Sequence, residues 1–396
     1  MPKVVLVNSI VNRTSTGKIT EQIGLAARRE GWDVIAAYGR ECFNSRLETY
    51  RIDKRIDIYY HGLLSRIFDA QGLGSKYATK KLISFFDDYK PDIVHLHNLH
   101  GYYINYPILF DYLNSNKIKT VWTLHDCWAM TGHCTHFVRT NCDKWKSGCY
   151  KCPQKRYYPD SIMFDCSGRN YRLKEKFFGS CDNLHIVGAS KWVADMAALS
   201  ILKKADIRYI HNGIDLDIFH PTCNKVDGKI RVMGIANGWG VSKGMNDFFE
   251  LRRLLPKEQY EIILVGLQKK HFRNLPDGIR GIERTDTIED LLDIYSSCDA
   301  LINLTYADTF PTTNIEALAC GTPIITYKTG GSPEAIDNNT GIVVEQGDIV
   351  GVINAIKIIE KNGKGFYSKA CRTRAEICFD MNKQFYKYVD LYNELM

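Results

Sequence analysis

Short apolar runs alternate with longer segments of helical periodicity along the whole chain. This alternation predicts strands separated by helices, the pattern of βα units around a parallel sheet. A first series of predicted strands comprises residues 4–7, 33–38, 93–96, 120–124 and 185–188, and a second comprises 230–235, 260–265, 300–303, 323–326 and 341–343. We therefore expect an α/β protein with two doubly wound parallel-sheet domains, followed by helices over residues 366–396.

The segment between the two series, residues 202–221, marks the expected domain boundary. It contains the turn-forming sequence His211-Asn-Gly-Ile-Asp, and Asn, Gly and Asp favour irregular backbone. We predict a hinge here, with an N-terminal domain of residues 1–207 and a C-terminal domain of residues 208–379.

The composition is that of a globular protein. Apolar residues make up 45% of the chain and charged residues 24%, which excludes a disordered or fibrous protein. A length of 396 residues also excludes a single small binding module. The net charge of +7 is uneven, because residues 1–200 hold 28 basic and 19 acidic side chains whereas residues 201–396 hold 24 and 26. An anionic partner is therefore expected for the first half.

No segment has the pattern of a signal peptide or a transmembrane helix. The first apolar run stops at Asn8, and the longest uncharged window, residues 93–110, is interrupted by His95, His97 and His100. We therefore expect a cytoplasmic protein, in which the thirteen cysteines are reduced thiols or metal ligands rather than disulfides.

Polar residues follow several predicted strands at their carboxyl ends, where open α/β sheets bind ligands. The most informative of these segments holds two carboxylates, Asp308 in a loop and Glu316 in a helix predicted to begin at Thr312 and end at Cys320. The positive end of that helix suits a diphosphate, and carboxylates accept hydrogen bonds from sugar hydroxyls. A capped helix without any ligand explains the spacing equally well, so spacing alone leaves both interpretations open.

Several motifs recur together along the chain. They are residues 122–128 (Trp-Thr-Leu-His-Asp-Cys-Trp), Asn212 to Asp215 followed by Phe219 and Pro221, Lys243-Gly244, residues 264–266, the pair Asp308 and Glu316, and Gly330 to Glu334. In this order they resemble family 4 glycosyltransferases of the GT-B fold, whose signature is two acidic residues separated by seven others. The resemblance covers nearly the whole chain and is strongest to bacterial members that build capsule, colanic-acid-like or O-antigen (lipopolysaccharide) polysaccharides.

The resemblance implies two Rossmann-like domains that face a central cleft, the first binding the acceptor and the second the nucleotide sugar. It implies that a C-terminal helix, about residues 380–396, packs back on the first domain. The implied activity is that of a retaining hexosyltransferase, with a nucleotide-diphosphate sugar as donor. No cofactor is expected to be required for catalysis, and no nucleic-acid partner is expected.

The resemblance also assigns residues. It implies that Glu316 holds the ribose, Lys243 the diphosphate, and Asp308 the donor sugar, while His125 matches the family's cleft histidine near the reacting carbon. The implied catalytic residues are thus His125, Lys243, Asp308 and Glu316. The predicted donor-binding residues are Gly17, Asn237, Lys243, Leu267, Asp308, Thr309, Phe310, Pro311, Thr312, Thr313 and Glu316, and the predicted acceptor-binding residues are His97, Asn98, His100 and Asp126.

The sequence departs from the family pattern at two places. Asp308 replaces the usual Glu, which shortens the reach toward the sugar by one methylene. Asn237 and Gly238 occupy the positions where an Arg is usual before Lys243. One positive partner of the phosphates is therefore missing or supplied by another residue.

Two short motifs carry competing interpretations. Asp215-Leu-Asp217 resembles the metal-binding Asp-x-Asp of the other large glycosyltransferase fold, but a three-residue pattern inside the hinge motif is weak evidence. Thr16-Gly17-Lys18 resembles the end of a P-loop, yet Asn12 stands where that motif requires its first glycine. We instead expect a loop that admits donor or acceptor beside Gly17.

Four cysteines, Cys134, Cys142, Cys149 and Cys152, form a cluster in the sequence that includes one Cys-x2-Cys pair. Four thiolates suit a tetrahedral structural zinc, and His133 or His136 could replace one of them. Free thiols, or a disulfide in an oxidising compartment, are the alternatives, and the spacing does not decide among them.

The basic character of the first half is concentrated in two places. Residues 139–176 hold ten basic and four acidic side chains, and further basic residues lie in the predicted helices before them: Arg51, Lys54, Arg55, Arg66, Lys76, Lys80 and Lys81. Because the implied acceptor is a glycan or a polyprenyl-diphosphate-linked glycan, we hypothesise peripheral attachment to an anionic inner-membrane surface. Two other functions stay open: a nucleotide-sugar epimerase of GT-B architecture, and a non-catalytic glycan- or nucleotide-binding protein.

Overall fold

The computed structural model describes residues 1–52, 54–222 and 228–396, which form two α/β units. The N-terminal unit consists of Met1–Asn212 together with Asn382–Met396, and the C-terminal unit is Gly213–Met381. The division after Asn212 lies inside the segment 202–221.

The N-terminal unit is built on a parallel sheet. Its strands are β1 (Lys3–Val11), β2 (Asp33–Cys42), β3 (Glu48–Arg51), β4 (Ile93–Leu96), β5 (Lys119–Leu124), β6 (Leu184–Gly188) and β7 (Asp206–Tyr209), and its first helices are α1 (Thr14–Arg29), α2 (Arg55–Phe68), α3 (Lys76–Tyr89), α4 (Tyr106–Ser115), α5 (Ser167–Phe178) and α6 (Lys191–Ala198). The strand order is β3-β2-β1-β4-β5-β6-β7. Residues 4–7 of β1 are fully buried, as expected for a central parallel strand covered by helices on both faces.

The C-terminal unit repeats this architecture. Its strands are β8 (Ile230–Ile235), β9 (Tyr260–Val265), β10 (Ile279–Ile282), β11 (Ala300–Asn303), β12 (Ile324–Tyr327) and β13 (Gly341–Val344), and its helices are α7 (Met245–Leu254), α8 (Lys269–Phe272), α9 (Ile288–Ser297), α10 (Thr312–Ala319), α11 (Ile349–Asn362) and α12 (Lys364–Cys378). The order is β10-β9-β8-β11-β12-β13, and all neighbours are parallel. The predicted α/β class with two doubly wound sheets is therefore confirmed.

The last helix, α13 (Met381–Leu395), lies in the N-terminal unit. Its tyrosines are buried there: the hydroxyl of Tyr392 contacts His95, and the hydroxyl of Tyr388 accepts a hydrogen bond from Thr123 at 3.3 Å. The ring of Tyr392 also packs against Trp32 with centroids 5.3 Å apart. Aromatic burial therefore fixes the end of the chain to β4 and β5.

All the predicted strands are present, and β4, β8, β9 and β11 have the predicted bounds. Three strands were not predicted: β3, β7 and β10. Each lies at an edge of its sheet, where partial exposure lets polar residues replace the apolar run on which the prediction depends. The segment 202–221, in which a hinge is predicted, contains the strand β7 at Asp206–Tyr209.

Candidate functional site

In the C-terminal unit the predicted donor residues follow the carboxyl ends of the central strands. The chain runs outward from β8 through β9 to β10 and then returns to the other side of β8 at β11. Such a reversal leaves a crevice between the two neighbouring strands, which is where doubly wound sheets bind nucleotides. The residues that follow β8 and β11 therefore occupy the position expected of a nucleotide site.

The loops that leave β8 and β11 are tied together. The amide of Tyr306 donates to the carbonyl of Ser242 at 2.9 Å, and the hydroxyl of Thr305 donates to the same oxygen at 3.3 Å. Gly244 has a φ of 71°, and a Cβ at that position would lie 2.3 Å from the carbonyl oxygen of Leu304. A side chain there would push the loops apart, which explains the glycine of the Lys-Gly motif.

Lys243 and Asp308 meet between these loops. The Lys243 ammonium donates to Asp308 Oδ2 at 2.7 Å, and the two side chains are 31% and 21% exposed. The ion pair thus keeps a positive charge at the crevice while leaving both groups within reach of a ligand. Asn237 and Gly238, also predicted to lie here, are exposed.

Helix α10 begins after Pro311 without a side-chain cap. Its first residues, Thr312 and Thr313, are partly exposed, whereas Thr309 and Phe310 are buried and hold the preceding loop in place. The confirmed start at Thr312 therefore presents backbone N–H groups and the positive end of the helix dipole at the carboxyl edge of the sheet.

Glu316 lies in the second turn of α10 and is held by a tyrosine that sequence reasoning missed. The Tyr295 hydroxyl donates to Glu316 Oε2 at 2.7 Å. Tyr295 is fully buried in α9, and burial followed by the charge of Glu316 raises the pKa of its phenol well above the usual range. The phenol therefore stays protonated and orients the carboxylate. No motif singles out this tyrosine in the sequence.

The Gly330 to Glu334 motif has a supporting role in the structure. Ser332 Oγ accepts from the Asn314 amide at 3.0 Å, and the Asn314 oxygen accepts from Asn303 at 2.8 Å. This network joins β11, α10 and the short 3-10 turn Ser332–Ala335, and it is buried. It fixes the direction of α10, so the motif positions the helix.

Leu267 was predicted to contact the donor, and it follows β9. Its side chain is buried in the core, and its amide donates to the carbonyl of Ile282 at 3.1 Å. Packing in the core is enough to explain why an apolar side chain is present here, and contact of Leu267 with a donor stays a prediction.

In the N-terminal unit the predicted acceptor residues converge. His97, Asn98, His100 and Asp126 all line one cavity at the carboxyl ends of β4 and β5, and His125 lines it too. The two sequence segments are brought together because β4 and β5 are neighbours in parallel register. His125 therefore shares a pocket with the acceptor candidates.

His125 is held by a second histidine. Its Nε2 lies 3.0 Å from Nδ1 of His97, and the rings stack with centroids 5.3 Å apart. Burial lowers the pKa of His125 to about 4 and that of His97 well below its usual value. Both imidazoles are therefore neutral near pH 7.

His100 and Asp126 form a close pair on the wall of the same cavity. His100 Nε2 lies 2.6 Å from Asp126 Oδ2, and the Trp128 amide donates to Oδ1 at 2.8 Å. Burial on its own would raise the pKa of Asp126, but the charge and hydrogen bond of His100 outweigh it and lower the pKa to about 2. The pocket therefore contains the ionised carboxylate of Asp126 beside the neutral imidazoles of His97 and His125.

The loop beside Gly17 is only Asn12 and Arg13, and the contact of Gly17 with a donor stays a prediction. Helix α1 already begins at Thr14, so Gly17 is helical. A Cβ on Gly17 would lie 3.1 Å from the carbonyl oxygen of Ile10, so close packing of α1 against β1 explains this glycine.

Two metal hypotheses have different outcomes in the structure. Asp215 Oδ1 accepts from the amides of Asp217 and Ile218 at 3.1 and 3.3 Å, which makes Asp215 part of a turn and supports the rejection of an Asp-x-Asp metal site. The four clustered cysteines line one cavity. Among the described residues, no group of three or more His, Cys, Asp or Glu side chains is arranged to bind a metal ion.

Comparisons with known proteins agree with this geometry. Residues 17–218 match the family described as Glycosyltransferase Family 4, and residues 231–362 match Glycosyl transferases group 1. The putative colanic acid biosynthesis glycosyl transferase WcaC of Escherichia coli is 26% identical over 286 residues, 67% of each chain.

Solved structures show the same fold. Sucrose-phosphate synthase from Thermosynechococcus elongatus superposes with a TM-score of 0.71 at 16% identity, covering 100% of this chain and 99% of that one. HepE of Anabaena, solved in complex with UDP, superposes with a TM-score of 0.66 at 14% identity, and the superposition covers 100% of both chains. The family match spans more than half of the sequence, and the chain belongs to glycosyltransferase family 4, as an enzyme of the GT-B fold.

Proposed function

We propose that the enzyme transfers a sugar, with retention of configuration, from a nucleotide-diphosphate sugar to a lipid-linked glycan during assembly of a bacterial surface polysaccharide such as capsule or lipopolysaccharide. The observation that carries the proposal is the convergence of Lys243, the uncapped start of α10 and the Tyr295-held Glu316 at one edge of the second sheet. The solved complexes of HepE with UDP and with UDP-glucose, and the colanic acid assignment of WcaC, support it.

The donor half of the proposal follows from charge. The ammonium of Lys243 and the N-terminus of α10 are positive, and a diphosphate is negative, so the diphosphate binds between them. Glu316, with Oε2 already hydrogen-bonded to Tyr295, accepts from the ribose hydroxyls. Asp308 releases part of its hold on Lys243 and accepts from a sugar hydroxyl.

Catalysis consists of stabilising charge as the sugar–phosphate bond breaks. In a retaining transfer the acceptor oxygen attacks the face from which the diphosphate departs and gives its hydroxyl proton to the departing phosphate oxygen, so no enzyme nucleophile is needed. The departing diphosphate gains negative charge, which Lys243 and α10 stabilise more strongly in the transition state than in the bound donor. His125, neutral and buried, offers a hydrogen bond near the reacting carbon without adding a cation beside an oxocarbenium-like centre.

The donor assignment is tested by a thermal-shift panel of nucleotide-diphosphate sugars. The correct donor raises the melting temperature, because a ligand at 100 times its Kd stabilises the folded state by about 2.7 kcal/mol. We expect Glu316→Gln to lose most of this shift, whereas Glu258→Gln, an exposed glutamate before β9, keeps it. A panel in which no nucleotide sugar shifts the wild type, or in which Glu316→Gln shifts equally, contradicts the assignment.

Product analysis of the same reaction separates transfer from epimerisation. Transfer releases a nucleoside diphosphate and lengthens the glycan, whereas an epimerase returns an altered nucleotide sugar and needs no acceptor. An altered nucleotide sugar in the absence of acceptor therefore counts against the proposal.

A membrane-borne acceptor requires a surface that can approach lipid, and α2 supplies one. Its residues Ile56, Tyr59, Tyr60 and Leu63, which we call the α2 apolar face, are between 55% and 78% exposed. They recur at helical spacing, so they lie on one side of the helix. No described helix is both long and apolar enough to cross a bilayer, and the surface is proposed to lie on the lipid.

A neighbouring loop extends the α2 apolar face. The amide of Ile162 donates to the carbonyl of Arg66 at 2.7 Å, and the rings of Phe68 and Phe164 stack with centroids 5.7 Å apart. The side chains of Ile162, Met163 and Phe164 are about half exposed. The sequence indicated the basic residues of this region but not its apolar side chains, and the side chain of Arg55 lies outside the described part.

Basic residues beside the α2 apolar face favour an anionic surface. Lys54 just before α2, Arg66 on α2, and Lys76 at the start of α3 are exposed. The start of α3 lies against α2, because His61 Nδ1 is 3.0 Å from the Ser75 hydroxyl. Basic side chains beside anionic headgroups each contribute about 1 kcal/mol to binding.

Vesicle flotation tests this surface. The triple variant Ile56→Ser/Tyr59→Ser/Leu63→Ser is expected to bind phosphatidylglycerol vesicles at least about tenfold more weakly, since each lost side chain removes apolar area from the lipid contact. The matched control, Ile358→Ser/Phe366→Ser/Ile377→Ser, changes equally exposed apolar residues of the other unit and is expected to bind normally. Equal binding of both variants, or equal wild-type binding to neutral vesicles, overturns the surface.

A further inference from the structure

A long segment between β5 and α5 contains little regular structure. Residues 125–166 hold three short 3-10 turns, Trp128–Met130, Phe137–Thr140 and Lys144–Lys146. Loops of this length in compact domains are uncommon unless another constraint holds them. All four cysteines of the sequence cluster lie in this segment.

The fold brings the four cysteines to one cavity. Cys134, Cys142, Cys149 and Cys152 line it together with His133. The sulfurs of Cys134 and Cys152 are hydrogen-bonded, and Cys149 Sγ accepts from the Gly132 amide at 3.2 Å. Cysteines that are 3 to 18 positions apart in the chain therefore line one cavity, a result that the loose sequence spacing left open.

His133 adds an unsatisfied nitrogen to the cavity. Its side chain is fully buried, and Nδ1 lies 2.6 Å from Asp69 Oδ1. Among the described residues its Nε2 has no hydrogen-bond partner. A carboxylate that holds one nitrogen of a buried imidazole, with the other nitrogen unsatisfied, is the arrangement found around protein-bound metals.

Lys174 is a buried lysine beside the same thiols. Its Nζ donates to the carbonyl oxygens of Trp128 and Thr131 at 2.6 and 2.9 Å and lies 3.4 Å from the centroid of the Trp128 ring. Within the described chain no carboxylate lies within ion-pair distance of it, although Asp126 and Asp69, like Cys149 and Cys134, are close enough to influence its charge. Burying an ammonium is costly unless a negative charge compensates it.

We propose that this cavity binds one Zn²⁺ through the thiolates of Cys134, Cys142, Cys149 and Cys152. Four thiols release four protons as four Zn–S bonds form, which leaves a site of net charge −2. The ammonium of Lys174 compensates part of that charge, and His133 Nε2, oriented by Asp69, lies beside the sulfurs. The four cysteine side chains must rotate toward one another to form a tetrahedral site, because no three of them are arranged to bind a metal ion in the described residues.

The zinc holds one wall of the acceptor pocket. The Cys127 amide donates to the carbonyl of Thr135 at 2.8 Å, and the Thr131 hydroxyl donates to that of Cys134 at 2.6 Å. These bonds connect the cysteine cavity to Asp126 and Trp128, which line the pocket. The metal is structural, since four thiolates leave no position for a substrate.

Metal analysis of the purified full chain tests the site. We expect about one zinc per chain in the wild type. The double variant Cys149→Ser/Cys152→Ser is expected to lose it, and Cys181→Ser, a buried cysteine of the same unit outside the cavity, is expected to retain it. Removal of zinc by a chelator should lower the melting temperature, and added Zn²⁺ should restore it.

Cobalt substitution covers the case in which the double variant does not fold. Co²⁺ bound by thiolates gives an intense near-ultraviolet charge-transfer band, which is expected in the wild type and in Cys181→Ser. Wild-type protein from zinc-supplemented culture that holds no zinc overturns the site, as does a disulfide between two of the four cysteines, seen as an intact mass two hydrogens low and located by peptide mapping. These readouts require no sugar donor or activity, so they are independent of the proposed function.

Discussion

Replacing Lys243 by alanine is expected to lower kcat/KM for sugar transfer by about 10²- to 10³-fold, the usual effect of removing one group that stabilises charge in a transition state. Lys243 is the cation held at the crevice between β8 and β11, 2.7 Å from Asp308. Asn237 and Gly238 add no positive charge where the family usually has an arginine, so more of the stabilisation depends on this lysine.

Lys257→Ala is the matched control for this experiment. Lys257 also forms a 2.7 Å ion pair with an aspartate, Asp277, but it precedes β9 at the opposite edge of the same sheet. We expect its kcat/KM to equal that of the wild type. Initial rates of nucleoside diphosphate release with saturating acceptor measure both variants, and similar rates for Lys243→Ala and the wild type would contradict the role of Lys243.

Replacing His125 by glutamine is expected to lower kcat by about 10²-fold, with a smaller change in the KM for the donor. The amide retains a hydrogen-bonding group but cannot reproduce the position of an imidazole held 3.0 Å from His97. Circular dichroism and thermal melting establish that the variant is folded. His185→Gln, on the neighbouring strand β6 and paired with Asp206 at 3.1 Å, is the control and should leave kcat unchanged.

The pH profile gives a second readout for His125. Burial lowers its pKa to about 4, a shift that the nearby Asp126 charge opposes and His100 reinforces. The neutral form therefore persists as the pH falls through 6.5, and loss of kcat from its protonation begins only as the pH approaches 4. The N-terminal unit itself loses stability over that range, because His95, His97 and His125 take up protons near pH 6.5 only when unfolded. A fall in kcat centred near pH 6.5 that disappears in His125→Gln would contradict a buried neutral role.

The sequence was most informative where one physical constraint dominates. Strands such as β4, β8, β9 and β11 are largely buried, so each is an apolar run in the sequence. The ends of each run therefore predicted the ends of the strand. The edge strands β3, β7 and β10 were not predicted, because their formation depends on pairing with a neighbouring strand and not on their own burial. Gly17 shows a related limit: the sequence around it does not reveal that a Cβ at this position would lie 3.1 Å from the carbonyl oxygen of Ile10 in β1.

The candidate site likewise contains residues that the sequence indicated and residues that only the structure revealed. The acidic pair, the lysine and the cleft histidine could be found because they stand in motifs of ordered spacing. Tyr295, which holds Glu316, and Lys174, which lies beside the cysteines, come from helices that carry no motif. Only the fold brings such residues to the site, so no local pattern could have indicated them.

The sequence by itself determined the class of the protein, its two parallel-sheet units and the edge of each sheet at which the candidate site residues lie. These follow from the alternation of apolar runs with helical periodicity and from the polar residues after each strand, which are local properties. The tertiary structure decided which side chains meet: Lys243 with Asp308, His125 with His97, and four cysteines at one cavity. Such contacts depend on strand order and loop packing, which join segments far apart in the chain.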